Sequence, residues 1–209
     1  MPRTLSREDL VLDTRSYAAQ RPERRALMIP VRRERRVAVG DQLVLEFENA
    51  ETLQYQVQEM LYVEHAGEPV PPSDAEVAHE LEAYGRLLPT SHELAATLFI
   101  ELDDLTTVRS ELARLAGVQD AVGIELGEPG AAELVRGVEL PGLDELDEEQ
   151  LATVSVHMVR FRFTDAQRDR FRDPSVPARL VVDHPEYSED TPLTGATRTS
   201  LLADLALEG

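Results

Sequence analysis

Apolar residues along this chain recur at every second position in some stretches and at three-to-four-residue spacing in others, without a regular strand-helix-strand rhythm. That mixture constrains the fold more than any other feature. It favours an α+β fold, a mainly antiparallel sheet with helices packed on it, as a single domain over 1–209. An apolar content of 42% is ample for one packed core in a chain of 209 residues.

Within that frame, 1–36 reads as an Arg-rich helical segment. Ser6 and Asp9 mark a first helix start, Pro22 sits where a proline opens a second helix, and Pro30 is expected to kink or end it. Residues 37–47 read as a strand or hairpin arm around Gly40-Asp41. Residues 53–64 admit two readings. As a helix capped near Asn49 or Thr52, they place Leu53, Val57, Met60, Leu61 and Glu64 on one stripe with Glu59 turned away. As a strand, they alternate apolar residues with Gln54, Gln56 and Gln58. The helix-forming Gln, Glu, Met and Leu and the cap favour the helix.

Ser73 with Glu76 forms a capping-box pattern for a helix to about Arg86. A strand over 94–102, a helix over 106–116 stopped by Gly117, and a strand over 118–126 follow. The acidic stretch 127–150 reads as a long surface excursion. Strands over 154–163 and 178–183, a short helix from Thr164 and a closing helix over 197–207 complete the chain.

Composition removes several chemistries. There is no cysteine, tryptophan or lysine, so all 21 basic residues are arginine. Thiolate nucleophiles, thiolate-bound zinc or iron-sulfur clusters, Schiff bases and P-loop lysines are excluded. No run of 18 apolar residues occurs, so a soluble, cytoplasmic protein with no membrane partner is expected. The net charge of −19 is unevenly spread: residues 1–36 carry a net +5 and the remainder −24. Such a chain repels phosphate backbones, making nucleic acid an unlikely partner. The arginines, Arg32 and Arg36 among them, are expected to meet acids of the same fold, of a second subunit in a homo-oligomer, or of a protein partner.

No nucleophile elbow, Gly-rich phosphate loop or zinc-protease motif is present. Glu76-Val77-Ala78-His79 has the Glu-x-x-His spacing of di-iron bundles, but the apolar stripe faces away from His79 and no second copy exists. His157 shares a strand face with Val159 and Phe161 and is expected to point into the core. His184 precedes Pro185 at a strand end. If strands 154–163 and 178–183 are neighbours, His157 and His184 could hold iron, manganese or zinc with oxygen from Glu59, Glu101 or Tyr187. The alternative for each is structural: a core histidine satisfied by a carbonyl or carboxylate, a capped turn, or ion pairs between the acids and arginines such as Arg160.

Three stretches, Phe47-Glu48-Asn49-Ala50-Glu51-Thr52-Leu53-Gln54-Tyr55-Gln56-Val57-Gln58-Glu59-Met60, Val156-His157-Met158-Val159-Arg160-Phe161 and Asp183-His184-Pro185-Glu186-Tyr187, resemble the bacterial domain-of-unknown-function family 3501, from about Leu5 to Leu205. The resemblance implies one domain, often encoded near rubrerythrin-like and iron-sulfur oxidoreductase proteins. It carries no established substrate or catalytic residue. Two expectations of different class follow: an accessory or interaction protein working with such redox partners, or a metal-binding protein or metal-dependent enzyme built on His157 and His184.

Overall fold

A computed structural model describes residues 4–66, 70–102, 106–140 and 155–205. After a 3-10 turn at Arg7–Asp9 come α1 (Thr14–Arg35), β1 (Arg36–Val39), β2 (Leu43–Glu48), α2 (Ala50–Glu64), α3 (Asp74–Gly85) and β3 (Glu93–Ile100). Then follow α4 (Val108–Arg114), β4 (Val122–Leu126), β5 (Glu133–Glu139), β6 (Val156–Arg162), α5 (Asp165–Arg172), β7 (Ala178–His184), β8 (Tyr187–Pro192) and α6 (Gly195–Leu205). The expected α+β class, an antiparallel sheet with helices, is what the chain forms.

The eight strands make one sheet in the order β1-β2-β3-β6-β5-β4-β7-β8, with every neighbouring pair antiparallel. The sheet curls until β1 approaches β8, and side chains close the seam: the Tyr187 hydroxyl donates to Val39 O at 2.6 Å and Thr191 Oγ1 to Ala38 O at 2.7 Å. Gly40 makes the close approach possible. It turns at φ 65°, and a Cβ there would overlap the Tyr187 hydroxyl. Inside the curl, alternate strand residues such as Leu45, Phe47, Leu98, Ile124, Phe161 and Leu180 form the main core, plugged by Phe171 of α5 and Leu201 and Leu205 of α6. Full burial of each such side chain stabilises the fold by about 1.5–3 kcal/mol.

A second, smaller apolar cluster lies outside the sheet, where Leu10 of the N-terminal strap packs on Val57 and Leu61 of α2 and Val77 of α3. Local signals fix the helix starts. Asn49, Ser73 and Thr164 each cap their helix in a reciprocal capping box. The helical reading of 53–64 is therefore the observed one.

Four expectations are corrected. Residues 14–35 form one continuous helix through Pro22 and Pro30, because Tyr17, Met28 and Arg35 anchor its buried side along the whole length. The stretch 127–150 is not wholly an excursion, since β5 lies within it and pairs on both sides, with β4 and β6; 141–150 lies outside the described residues. Residues 118–121 form a 3-10 turn before β4 rather than the start of a strand. Finally, β6 and β7 are not neighbours: β5 and β4 stand between them.

Candidate functional site

That strand order separates the two histidines expected to share a metal. Three strand spacings lie between β6 and β7, roughly 14 Å along the sheet. His157 does point into the core, 5% exposed, with Nδ1 2.7 Å from the Glu139 carboxylate. His184 sits at the β7–β8 turn. Its Nδ1 accepts from the Glu186 N–H at 3.2 Å, which leaves the proton on Nε2 to donate to Ala116 O at 3.1 Å. With both nitrogens engaged, His184 has no free lone pair for a metal. Among the described residues, no three His, Cys, Asp or Glu side chains cluster as metal ligands would.

The oxygen and arginine candidates are likewise held in structural bonds. Tyr187 seals the seam as donor to Val39 O and acceptor from the Gln42 N–H. Glu101 pairs with Arg36 on the surface. Glu59 joins α2 to α1, accepting from the Tyr17 hydroxyl at 2.6 Å and from the Arg21 guanidinium. Burial alone would raise the Glu59 pKa, but these bonds outweigh it and hold the carboxyl below its ordinary value. Arg32 and Arg36 both pair with Glu46, which is 2% exposed. Arg160 donates to Arg86 O and lies 3.7 Å from buried Glu93, beside the bridge from Arg162 to the same carboxyl.

The family-like stretch on α2 also does structural work. Gln54 accepts from Ser6 N and donates to Ser6 O, at 2.8 and 2.9 Å. One turn later, Gln58 clasps Val11 in the same way, at 2.7 and 3.1 Å. Two amides spaced i, i+4 thus pair with the main chain of the N-terminal strap as a neighbouring strand would. Three glutamines at alternate positions inside an amphipathic pattern were the visible signal for this clasp.

The two flanks of α1 carry groups that are not used in bonds to other described residues. On α1, Arg25 and Arg33 flank Ile29, which is 58% exposed, and Arg15 lies on the same side about 21 Å along the axis from it. None of the three guanidiniums bonds or pairs with another described residue. On the opposite flank of α1, a groove of about 650 Å³ opens between the strap, α1 and the first half of α2. The sequence pointed to the arginine-rich segment 1–36 as a whole, but not to which of its arginines stay outside ion pairs, and it did not show the groove, whose residues read individually as a solvated helix face.

Comparison with known proteins places the whole arrangement. The family model described as Protein of unknown function (DUF3501) matches residues 4–205. A solved structure described as a novel protein of unknown function from Burkholderia pseudomallei K96243 is 30% identical, with a TM-score of 0.82, covering 97% of this chain and 100% of that one. A search of curated proteins gave no match.

Proposed function

We propose, from the premise that the chain belongs to the DUF3501 family, that it is an accessory protein that docks an acidic protein partner on the solvent face of α1. The observation that carries this reading is Arg25 and Arg33 flanking exposed Ile29, with Arg15 farther along the same side of the helix. Elsewhere acids and arginines largely neutralise one another inside the fold, as in Arg32–Glu46, Arg35–Asp204 and Arg179–Glu125. An arginine left outside such pairs, beside an exposed branched apolar side chain, is the composition of an interface anchor. The rest of the molecule is strongly acidic and repels an acidic partner, so this basic face is the one orientation in which such a partner is attracted at short range.

The partner class follows from the family resemblance, which implies the neighbouring rubrerythrin-like and iron-sulfur oxidoreductase proteins. A chain without cysteine holds no thiolate-bound cluster, so the redox centre belongs to the partner and this protein contributes position. The metal-binding alternative requires His157 and His184 to meet, and no observation favours it.

The test is capture of the two purified partners on the full-length protein at about 50 and 300 mM salt, where screening lengths differ more than twofold. Retention of at least one at low salt, lost both at high salt and with Arg25→Glu/Arg33→Glu, is expected. Neither side chain makes a hydrogen bond or salt bridge to a described residue, but Arg25 helps hold the Glu59 carboxyl ionised, so an unchanged thermal melt is required of the variant and Arg33→Glu alone serves as the second variant. Failure of the wild-type protein to retain either partner, or retention indifferent to salt and charge reversal, overturns the proposal.

A further inference from the structure

We infer that the groove on the other flank of α1 is a binding site for a small organic cation with an apolar body. Its volume of about 650 Å³ lies within the range of small-molecule sites. The apolar part of its lining is Met28, 8% exposed, and Leu27, which stands 65% exposed for want of anything covering it. Tyr55 faces them from α2, and its hydroxyl has no hydrogen-bond partner among the described residues.

The charge of the rim sets the sign of the ligand. Asp9 on the strap, Glu23 on α1 and Glu51 on α2 approach the groove from three segments, and none bonds or pairs through its carboxylate with another described residue. The one guanidinium in the lining, Arg24, lies over the Tyr17 ring at 5.8 Å. Within the lining, three free carboxylates against the single guanidinium of Arg24 favour an ammonium group and disfavour an anion, while Arg21, Arg25 and Arg32 act on the Tyr55 end from outside the lining, so the cation sits toward Asp9, Glu23 and Glu51. The phenol of Tyr55 adds an aromatic face for the cation. Burial raises its pKa, so it stays neutral and can accept or donate.

The walls are also fixed in advance. Gln54 and Gln58 line the groove, but their amides are used by Ser6 and Val11 of the strap. They therefore present mainly their sides to a ligand, while the clasp holds Asp9 in register with Glu51. A preformed site loses little entropy on binding.

The experiment titrates full-length protein with 2-phenylethylamine, the neutral 2-phenylethanol and the anionic 3-phenylpropanoate, followed by NMR shifts of Tyr55 and Leu27. Saturable binding of the amine, at least about tenfold tighter than the alcohol and absent for the acid, is expected. Glu23→Gln/Glu51→Gln should weaken the amine at least about fivefold. It should change the melting temperature only slightly, because neither carboxylate carries a bond and only Glu51 interacts with a helix dipole, in the first turn of α2. Arg33→Glu, at a guanidinium outside the lining, should leave amine binding intact, separating this site from the docking face. No saturable amine binding up to about 10 mM, comparable binding of the acid, or indifference to the double Gln variant overturns the inference.

Discussion

Glu48 ends β2 with its carboxyl held by two hydroxyls, Thr52 donating at 2.5 Å and Thr97 at 2.8 Å. Its neighbour on the same strand face, Glu46, has two arginines; no arginine bonds the Glu48 carboxyl among the described residues. Burial therefore dominates and raises its pKa above the ordinary value of 4.5, with the two threonine bonds only partly opposing the shift. The folded protein holds this proton more tightly than the unfolded chain does. The resulting stability is fully present below 4.5 and is lost as pH rises through the raised folded value. Glu48→Gln keeps the shape and can accept from one threonine while donating to the other. The stability of the variant relative to wild type should be near zero at about pH 4 and move in the variant's favour toward about pH 8. Urea unfolding at a series of pH values measures this. A difference that stays flat, or that moves against the variant, refutes the account.

Among elements, α1 shows local preference and tertiary anchoring in direct conflict. Pro22 and Pro30 each remove one N–H from the helix ladder and crowd the preceding turn, at a cost of about 3 kcal/mol per interior proline. The helix persists because its buried side is pinned. Tyr17 bonds Glu59, and Arg35 bonds Asp204 together with the Phe47 and Glu48 carbonyls. Pro22→Ala or Pro30→Ala should then raise stability by about 1–2 kcal/mol, less than the full cost because proline also restricts the unfolded chain. If either proline broke the helix in solution, replacement would leave the denaturation midpoint nearly unchanged. The same conflict explains what was legible in the sequence. The caps at Asn49, Ser73 and Thr164 could be read because a cap is a matter of a few adjacent residues. The separation of β6 from β7 could not, because strand order is decided by non-local pairing. The strand that separates them, β5, buries only Val135 and Gly137 within an acidic stretch and so carries little apolar signal. The groove, and which arginines of the basic segment stay outside ion pairs, were hidden for a related reason: these residues are sorted only when α1 runs unbroken past α2 and the strap.

At the scale of the whole molecule, the sheet has two edges, β1 and β8, and an unprotected edge invites pairing with another chain. Here the edges face each other across a seam closed by side chains. The Tyr187 hydroxyl serves Val39 O and the Gln42 N–H together, while Thr191 reaches Ala38 O. Tyr187→Phe preserves the ring and removes the bridge, leaving one carbonyl and one amide without it, at an expected cost of about 1–3 kcal/mol. Amide exchange should quicken at Gln42 and along β1 before it quickens in β3, whose strand is buried on both faces. The consequence extends past the seam, because β1 continues directly from the last residue of α1, and Arg35 and Arg36 tie that junction to Asp204, Glu46 and Glu101. A loosened seam should therefore raise exchange in the last turn of α1, near Arg33, while the Gln54 and Gln58 clasp keeps the strap protected. Uniform exchange in Tyr187→Phe, with α1 and the strap opening together, would mean that the molecule unfolds as one unit and that the seam is not its weakest closure.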